Sequence, residues 1–193
     1  MKGKGLSFEV IVDAALELVK EKGYNQFSVR ELASVLHVKA ASLYNHLNSI
    51  DEINIEIGKR AAQDMNAQLD LAVNGYKREK AIEALAYSYR DYVKNNYQMY
   101  RALMALPSLD SGDGKVLASG RAGIDTIRRV MGDYQVDDVI KLHFSRCLRS
   151  ALDGFTQMEM SGYFTGGRAN SEESFRFLVS GYAEWIAAME RQG

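Results

Sequence analysis

Three histidines, at positions 37, 46 and 143, and one cysteine, Cys147, are the side chains of this 193-residue chain best suited to catalysis or metal binding. They are scattered, and no Glu-x-x-His pattern accompanies any of them. His143 and Cys147 lie four residues apart, so a helix would carry them on one face. That spacing could hold a metal or poise a thiol. Two ligands do not make a site, and ordinary core packing is the expected role of this pair. No stretch alternates with period two, so no strand precedes a glycine-rich phosphate loop. A helical enzyme therefore has no constellation to work with, and neither a metal nor another cofactor is expected. A lone cysteine forms no intrachain disulfide and fits a reducing cytoplasm.

A different pattern occupies residues 28–47. Two short helices read DNA when they cross steeply, and the crossing restricts certain positions. A small residue is needed where the helices meet, and Ala33 stands there. Four positions on, the turn needs a residue that tolerates positive φ. His37 fills it, one of the few non-glycine types enriched there. Val38 would plug the core, and Leu43, ten positions after Ala33, would anchor the second helix. This is helix-turn-helix spacing. The first turn of the second helix then enters the major groove, with Lys39, Ala40 and Ser42 at base edges or nearby phosphates.

Charge does not carry this reading. The chain has a net charge of -1, and its first fifty residues hold six Lys/Arg against five Asp/Glu. A domain that binds nucleic acid is often strongly basic. The hydrophobic fraction of 47% is enough for a substantial core.

The elements that must position these residues are helical, as near-absence of proline suggests. A 3.6-period stripe (Phe8, Ile11, Val12, Ala15, Leu16, Val19) marks a first helix to Lys22, stopped by Gly23. Its acidic interruptions at Glu9, Asp13 and Glu17 exclude a signal peptide or membrane span. Ser28 to Glu31 is a capping box that opens a second helix, to about Leu36. A third covers roughly Lys39 to Leu47. Ser49 to Glu52 reads as another capping box, opening a long fourth helix from Asp51 to about Val73. Helices are expected over about Lys77–Asn95 and Tyr97–Leu106, where Pro107 ends the latter. A loop at 108–114 follows. Three more run over Lys115–Met131, about Val136–Ser161, and from a Ser171 cap to Glu190.

The N-terminal segment resembles the TetR family. The resemblance rests on Lys22-Gly23-Tyr24, on Phe27-Ser28-Val29-Arg30-Glu31-Leu32-Ala33, and on Val38 to Leu47, where Leu43-Tyr44-Asn45-His46-Leu47 is close to the family's signature. Ile50 stands where the family commonly has a lysine, and His37 where it has glycine. The resemblance implies phosphate contacts for Ser28, Tyr44 and His46, and a groove role for Arg30. The alternative for Tyr44 is packing on the first helix.

The C-terminal part resembles the WHG subclass, through Tyr97 to Met104 and through Arg149 to Phe155 followed by Glu159 and Gly162. Asp153 replaces the subclass histidine, and its tryptophan is unmatched. TetR-like proteins sense a ligand among helices 4 to 8 and dimerise through helices 8 and 9. Pocket candidates are Tyr87, Tyr89, Tyr92, Tyr97, Met99, Tyr100, Met104 and Phe144. Candidates for the dimer face are Leu142, Ala151, Gly154, Met158, Phe177, Leu178, Gly181 and Trp185, with Gly154 letting helices approach closely in a four-helix bundle.

The expectation is an all-α protein of about nine helices. Residues 1–50 would form a three-helix DNA-binding domain, and residues 51–193 a ligand-binding and dimerisation domain. It would be a cytoplasmic homodimeric repressor, not an enzyme, that binds a double-stranded palindromic operator and is released by a small organic effector. The alternatives are a helical enzyme and a DNA-binding protein without a ligand.

Overall fold

The computed structural model describes residues 5–106 and 123–192. Among them are nine helices and no strand. They are α1 (Phe8–Lys22), α2 (Val29–Val35), α3 (Ala40–Leu43), α4 (Ile50–Val73), α5 (Arg78–Asn95), α6 (Tyr97–Met104), α7 (Ile124–Met131), α8 (Asp138–Met160) and α9 (Ser171–Gln192). No helix among the described residues is long and apolar enough to cross a membrane. Pro107, the loop at 108–114 and the expected start of the seventh helix lie outside the described residues.

The chain packs as two compact units, one within Met1–Gln63 and Asn96–Gly120, the other within Asp64–Asn95 and Arg121–Gly193. The first therefore extends past residue 50, the boundary read from sequence, and takes in α6.

In the first unit α1 begins at Ser7, whose hydroxyl accepts the Val10 N–H at 3.3 Å. Glu9 sits in its first turn and Lys20 and Lys22 in its last, as the helix dipole favours. Ile11, Val12, Ala15, Leu18 and Val19 are buried against Leu32, Ala33, Leu43, Leu47, Ile53, Ile57 and Ala102. Helix α6 reaches α4 closely because residue 58 is glycine. A Cβ there would lie 2.8 Å from the Ala102 carbonyl oxygen and 2.7 Å from Leu106 Cδ2. The Gln98 side chain caps the far end of α1, its Oε1 accepting the Tyr24 N–H at 2.8 Å.

Residue 28 starts α2 as expected. Ser28 Oγ accepts the Glu31 N–H, and the Glu31 carboxylate accepts the Ser28 N–H at 2.8 Å. The turn that follows is a Schellman motif. The Val38 N–H donates to Ala33 O at 3.0 Å and the His37 N–H to Ser34 O at 3.1 Å. His37 sits at φ 55, in the left-handed region the spacing demanded.

Three boundaries differ from expectation. Helix α3 ends at Leu43 rather than Leu47, and residues 44–46 continue as turn, with the His46 N–H on Leu43 O at 2.8 Å. At the start of α4 the Glu52 carboxylate takes the Asn48 N–H and side-chain amide rather than Ser49. At α9 the cap is Asn170. Its Oδ1 accepts the Glu173 N–H at 2.8 Å, while Ser171 is already helical. In both cases a neighbouring asparagine offers a better-placed acceptor or donor than the serine.

The second unit is tied by one buried cation. Arg90 on α5 is 5% exposed. Its guanidinium makes two bonds to Glu159 of α8 and one to Glu172 of α9 at 2.6 Å, and stacks 4.5 Å over the Phe175 ring. Lys94 adds a 3.3 Å contact to Glu159. Hydrogen bonds from Arg90 above all hold the Glu159 carboxyl down at about 2. At the other end of α5, Arg78 takes φ 53. Its guanidinium holds the Asp133 carbonyl and the Glu190 carboxylate and covers the Tyr134 ring.

Two outcomes follow from these contacts. Arg90→Met leaves Glu159 buried with a weaker partner and should cost about 3 kcal/mol in urea unfolding. Because the folded Glu159 pKa lies below its ordinary 4.5, its contribution is complete above about pH 4.5. It is lost as pH falls towards about 2, and the variant should lack that part of the acid dependence. His37→Gly removes the steric cost of φ 55 and should hold or raise stability by up to about 1 kcal/mol. A marked loss in thermal unfolding would mean that the imidazole has a partner.

Candidate nucleic-acid interface and ligand site

A helix-turn-helix can bind DNA only if its polar side chains stay free while its apolar ones hold the turn. Leu32, Ala33, Leu43 and Leu47 are buried, and Val38 packs on the same core. Ser28, Arg30, Lys39, Tyr44 and His46 reach the surface. Tyr44 is 56% exposed and is not among the side chains packed on the apolar core. Ser42 is half-buried.

Ala40 and Ala41 divide differently from the sequence reading. Ala40, expected to face base edges, is half-buried and packs against the core. Its neighbour Ala41 is exposed, as is Asn45 after the helix. The helix is a single turn, so shifting its start by one residue rotates the outward face by about 100°. Lys39 becomes the N-cap, with no side-chain capping bond.

The charges are sorted as well. Lys20 pairs with Glu17 at 2.7 Å and Lys22 with Glu31 at 2.5 Å. Arg60 of α4 reaches Asp13 at 2.5 Å. Hydrogen bonds from Lys22, then from Ser28, bring the Glu31 carboxyl down to about 2. Within residues 5–50, Arg30 and Lys39 are the cations left without a carboxylate partner among the described residues. The Ser28 hydroxyl donates to Glu31 Oε2 at 2.8 Å, so it must rotate before it can donate to a phosphate.

The pocket candidates do not converge. Met99 packs on the helix-turn-helix core beside Ala102, because the period of α6 turns both to one side. Tyr100 is buried in the same unit, while Met104 is 52% exposed. Phe144 belongs to an aromatic cluster with Tyr182 and Trp185, both at 5.7 Å. Tyr92 is buried and bonded to Asp64, and burial pushes its phenol up. The Tyr89 hydroxyl donates to Asp153 at 3.3 Å. Tyr97 is partly exposed.

The second unit does carry a cavity of about 470 Å³, in a groove between α5 and α9. It is lined by Glu79, Glu83 and Tyr87 of α5, and by Arg176, Val179, Ser180, Ala183, Glu184, Ala187 and Arg191 of α9. Tyr87 is the one sequence candidate that reaches it. The α9 residues gave no separate signal, because they share a helix whose apolar stripe reads as core.

The dimer-face candidates lie outward. Phe177 is 83% exposed, Met158 45%, Leu142 and Trp185 41%. Gly154 and Gly181 have open space where a Cβ would be. Ala151 and Leu178 are half-buried at the edges of this stripe. His143 and Cys147, expected in the core, are exposed on it instead. The helix turns Phe144, Leu148 and Leu152 inward, and residues 143 and 147 fall about 100° away. No group of three or more metal-ligating residues occurs among the described residues.

Comparison with known proteins agrees with this architecture. Residues 11–57 match the family model described as bacterial regulatory proteins, tetR family, and residues 82–182 match the tetracyclin repressor-like C-terminal domain. An uncharacterised HTH-type transcriptional regulator of Bacillus subtilis is 30% identical over 79% of this chain and 78% of its own. Another, of Mycobacterium tuberculosis, is 29% identical over 81% and 72%. Among solved structures, a protein of unknown function from Rhodococcus sp. RHA1 superposes with a TM-score of 0.80 at 17% identity, over 95% of this chain and 97% of that one. The TetR family transcriptional regulator PfmR from Thermus thermophilus gives 0.61 at 25% identity, over 90% and 97%. The chain belongs to the TetR family and is a DNA-binding transcriptional regulator of the helix-turn-helix type.

Proposed function

We propose that this regulator is a repressor that binds a palindromic operator as a homodimer and leaves it when a small organic molecule binds. The observation that carries the reading is the sorting of charge. Around the turn, the cations that could pair internally do so, and Arg30 and Lys39 stand free beside exposed Tyr44 and His46. Lys39, Ala41 and Ser42 would supply the base-edge contacts, with Ala41 in the place expected of Ala40. Ser28, Tyr44 and His46 would fix the register through phosphates. The protein would act in the cytoplasm and catalyse nothing. DNA reading would belong to the N-terminal helices and effector sensing to the C-terminal ones, in the groove of α5 and α9.

The exposed stripe of Leu142, Gly154, Met158, Phe177, Gly181 and Trp185 supports the dimer. Large apolar side chains at this exposure mark an interaction surface. A two-fold pair would set recognition helices roughly 34–36 Å apart, one turn of DNA.

The test is a gel shift on a selected operator against random duplex in modest salt. Preference for the operator is expected, and equal binding would sink the reading. Lys39→Ala should flatten the salt slope by about one counterion if Lys39 meets phosphate. If it reads a guanine, the loss should be about 1–3 kcal/mol and confined to sites with that base. Phe177→Glu, at an 83% exposed position, should give a folded monomer by sedimentation. An unchanged dimer would move the interface elsewhere.

A further inference from the structure

The groove between α5 and α9 is walled by charge and floored by hydrocarbon. Val179, Ala183 and Ala187 make the floor, and the Tyr87 ring closes one end. Along it the two helices place their charges unequally. Near the Tyr87 end, Arg176 already faces the Tyr87 hydroxyl and the Glu172 carboxylate. At the other end, Glu79 lies 3.9 Å from Arg78, and Arg191 stands beside Glu190. Between these ends, Glu83 enters from α5 and Glu184 from α9. Both carboxylates are exposed, and neither has an ion-pair partner among the described residues.

We infer that the groove binds a small organic cation, an ammonium group carried on an apolar body. The cation would sit between Glu83 and Glu184, and the body would lie on Val179, Ala183 and Ala187. Charge complementarity selects the sign. Three carboxylates line the cavity against two guanidinium groups, which stand towards its ends, and Arg176 already bonds the Tyr87 hydroxyl, so an anion would meet Glu83 and Glu184 at the middle. The floor selects against a fully hydrated ion such as magnesium, which keeps its water and gains nothing from alanine and valine. The volume of about 470 Å³ falls in the range of small-molecule pockets. That such binding changes operator affinity rests on the regulator reading above. The binding itself does not.

Titration calorimetry on the full chain with hexyltrimethylammonium tests the site, with hexanoate as the probe of similar body and opposite charge. Saturable binding of the cation is expected, and at least about ten-fold weaker binding of hexanoate. The Glu83→Gln, Glu184→Gln double variant should bind the cation about ten-fold more weakly, because exposed ion pairs are individually modest. Ser180→Trp, at an exposed position on the rim, keeps both carboxylates and fills the groove, so it should also lose binding. Unchanged circular-dichroism melting would show that each variant folds. No binding by the wild type, or equal binding by both variants, overturns the proposal. A gel shift with and without the cation separates the two readings. Binding that is lost in the variants but leaves operator affinity unmoved would uphold the site and refute its role as the effector site.

Discussion

A recognition helix of four residues cannot specify its own direction. One helical turn is marginal in water, and α3 has no side-chain cap to nucleate it. Its geometry is imposed from both ends. On one side the Schellman turn fixes the exit from α2, with His37 in the left-handed region and Val38 bonded back to Ala33. On the other, Leu43 and Leu47 are driven into a core that α1, α4 and α6 complete. What the helix presents outward is therefore decided by residues of the turn before it and the core behind it. Gly58 belongs to that set, since any side chain there would push Ala102 and Leu106 of the α6 segment away. So does Gln98, which holds the backbone just after α1.

The second unit answers a different constraint. Helices α5, α8 and α9 could slide past one another on apolar contacts alone, because ridges of Leu, Ala and Phe fit in more than one register. A buried guanidinium does not allow that. Arg90 needs Glu159, Glu172 and the Phe175 face together, and a shift of one turn would strand at least one charge. With the register fixed, α8 and α9 leave a stripe of Phe177, Gly181, Gly154 and Met158 outward, and α5 and α9 leave a groove between their charged edges.

How much of this could be read in the sequence depended on whether a signal was local. The capping box at Ser28 and Glu31, the stop at Gly23 and the positive φ at His37 are each settled within a few residues, and the pattern of types shows them. Where two neighbours compete for one cap, as Asn48 with Ser49 or Asn170 with Ser171, the motif is legible but its register is not. The pocket was a harder matter. Met99, Tyr92 and Phe144 are all aromatic or soft apolar residues of the right composition, yet one fills the helix-turn-helix core, one bonds Asp64 and one stacks on Trp185. Composition identifies what could line a cavity. Only the rotation of each helix about its axis decides which residues do, and an error of one residue is about 100°. The same rotation took His143 and Cys147 out of the expected core and exchanged Ala40 for Ala41.

Near-neutrality, which counted against a DNA-binding reading at the level of composition, takes another meaning once the pairs are known. Net charge measures attraction to a distant polyanion, and that attraction is the sequence-independent part of binding. Lys20 and Lys22 contribute little to it, because Glu17 and Glu31 lie within 2.7 Å of them. Glu31 does this while also capping α2, so one carboxylate both starts the helix and neutralises a flanking lysine. The free cations that remain near the turn are Arg30 and Lys39, whose proposed contacts would depend on register. On the proposed reading, a protein arranged this way would gain little from random DNA and most of its binding from a site that fits. The discrimination proposed for the first unit would thus be built as much from the charges it cancels as from those it presents.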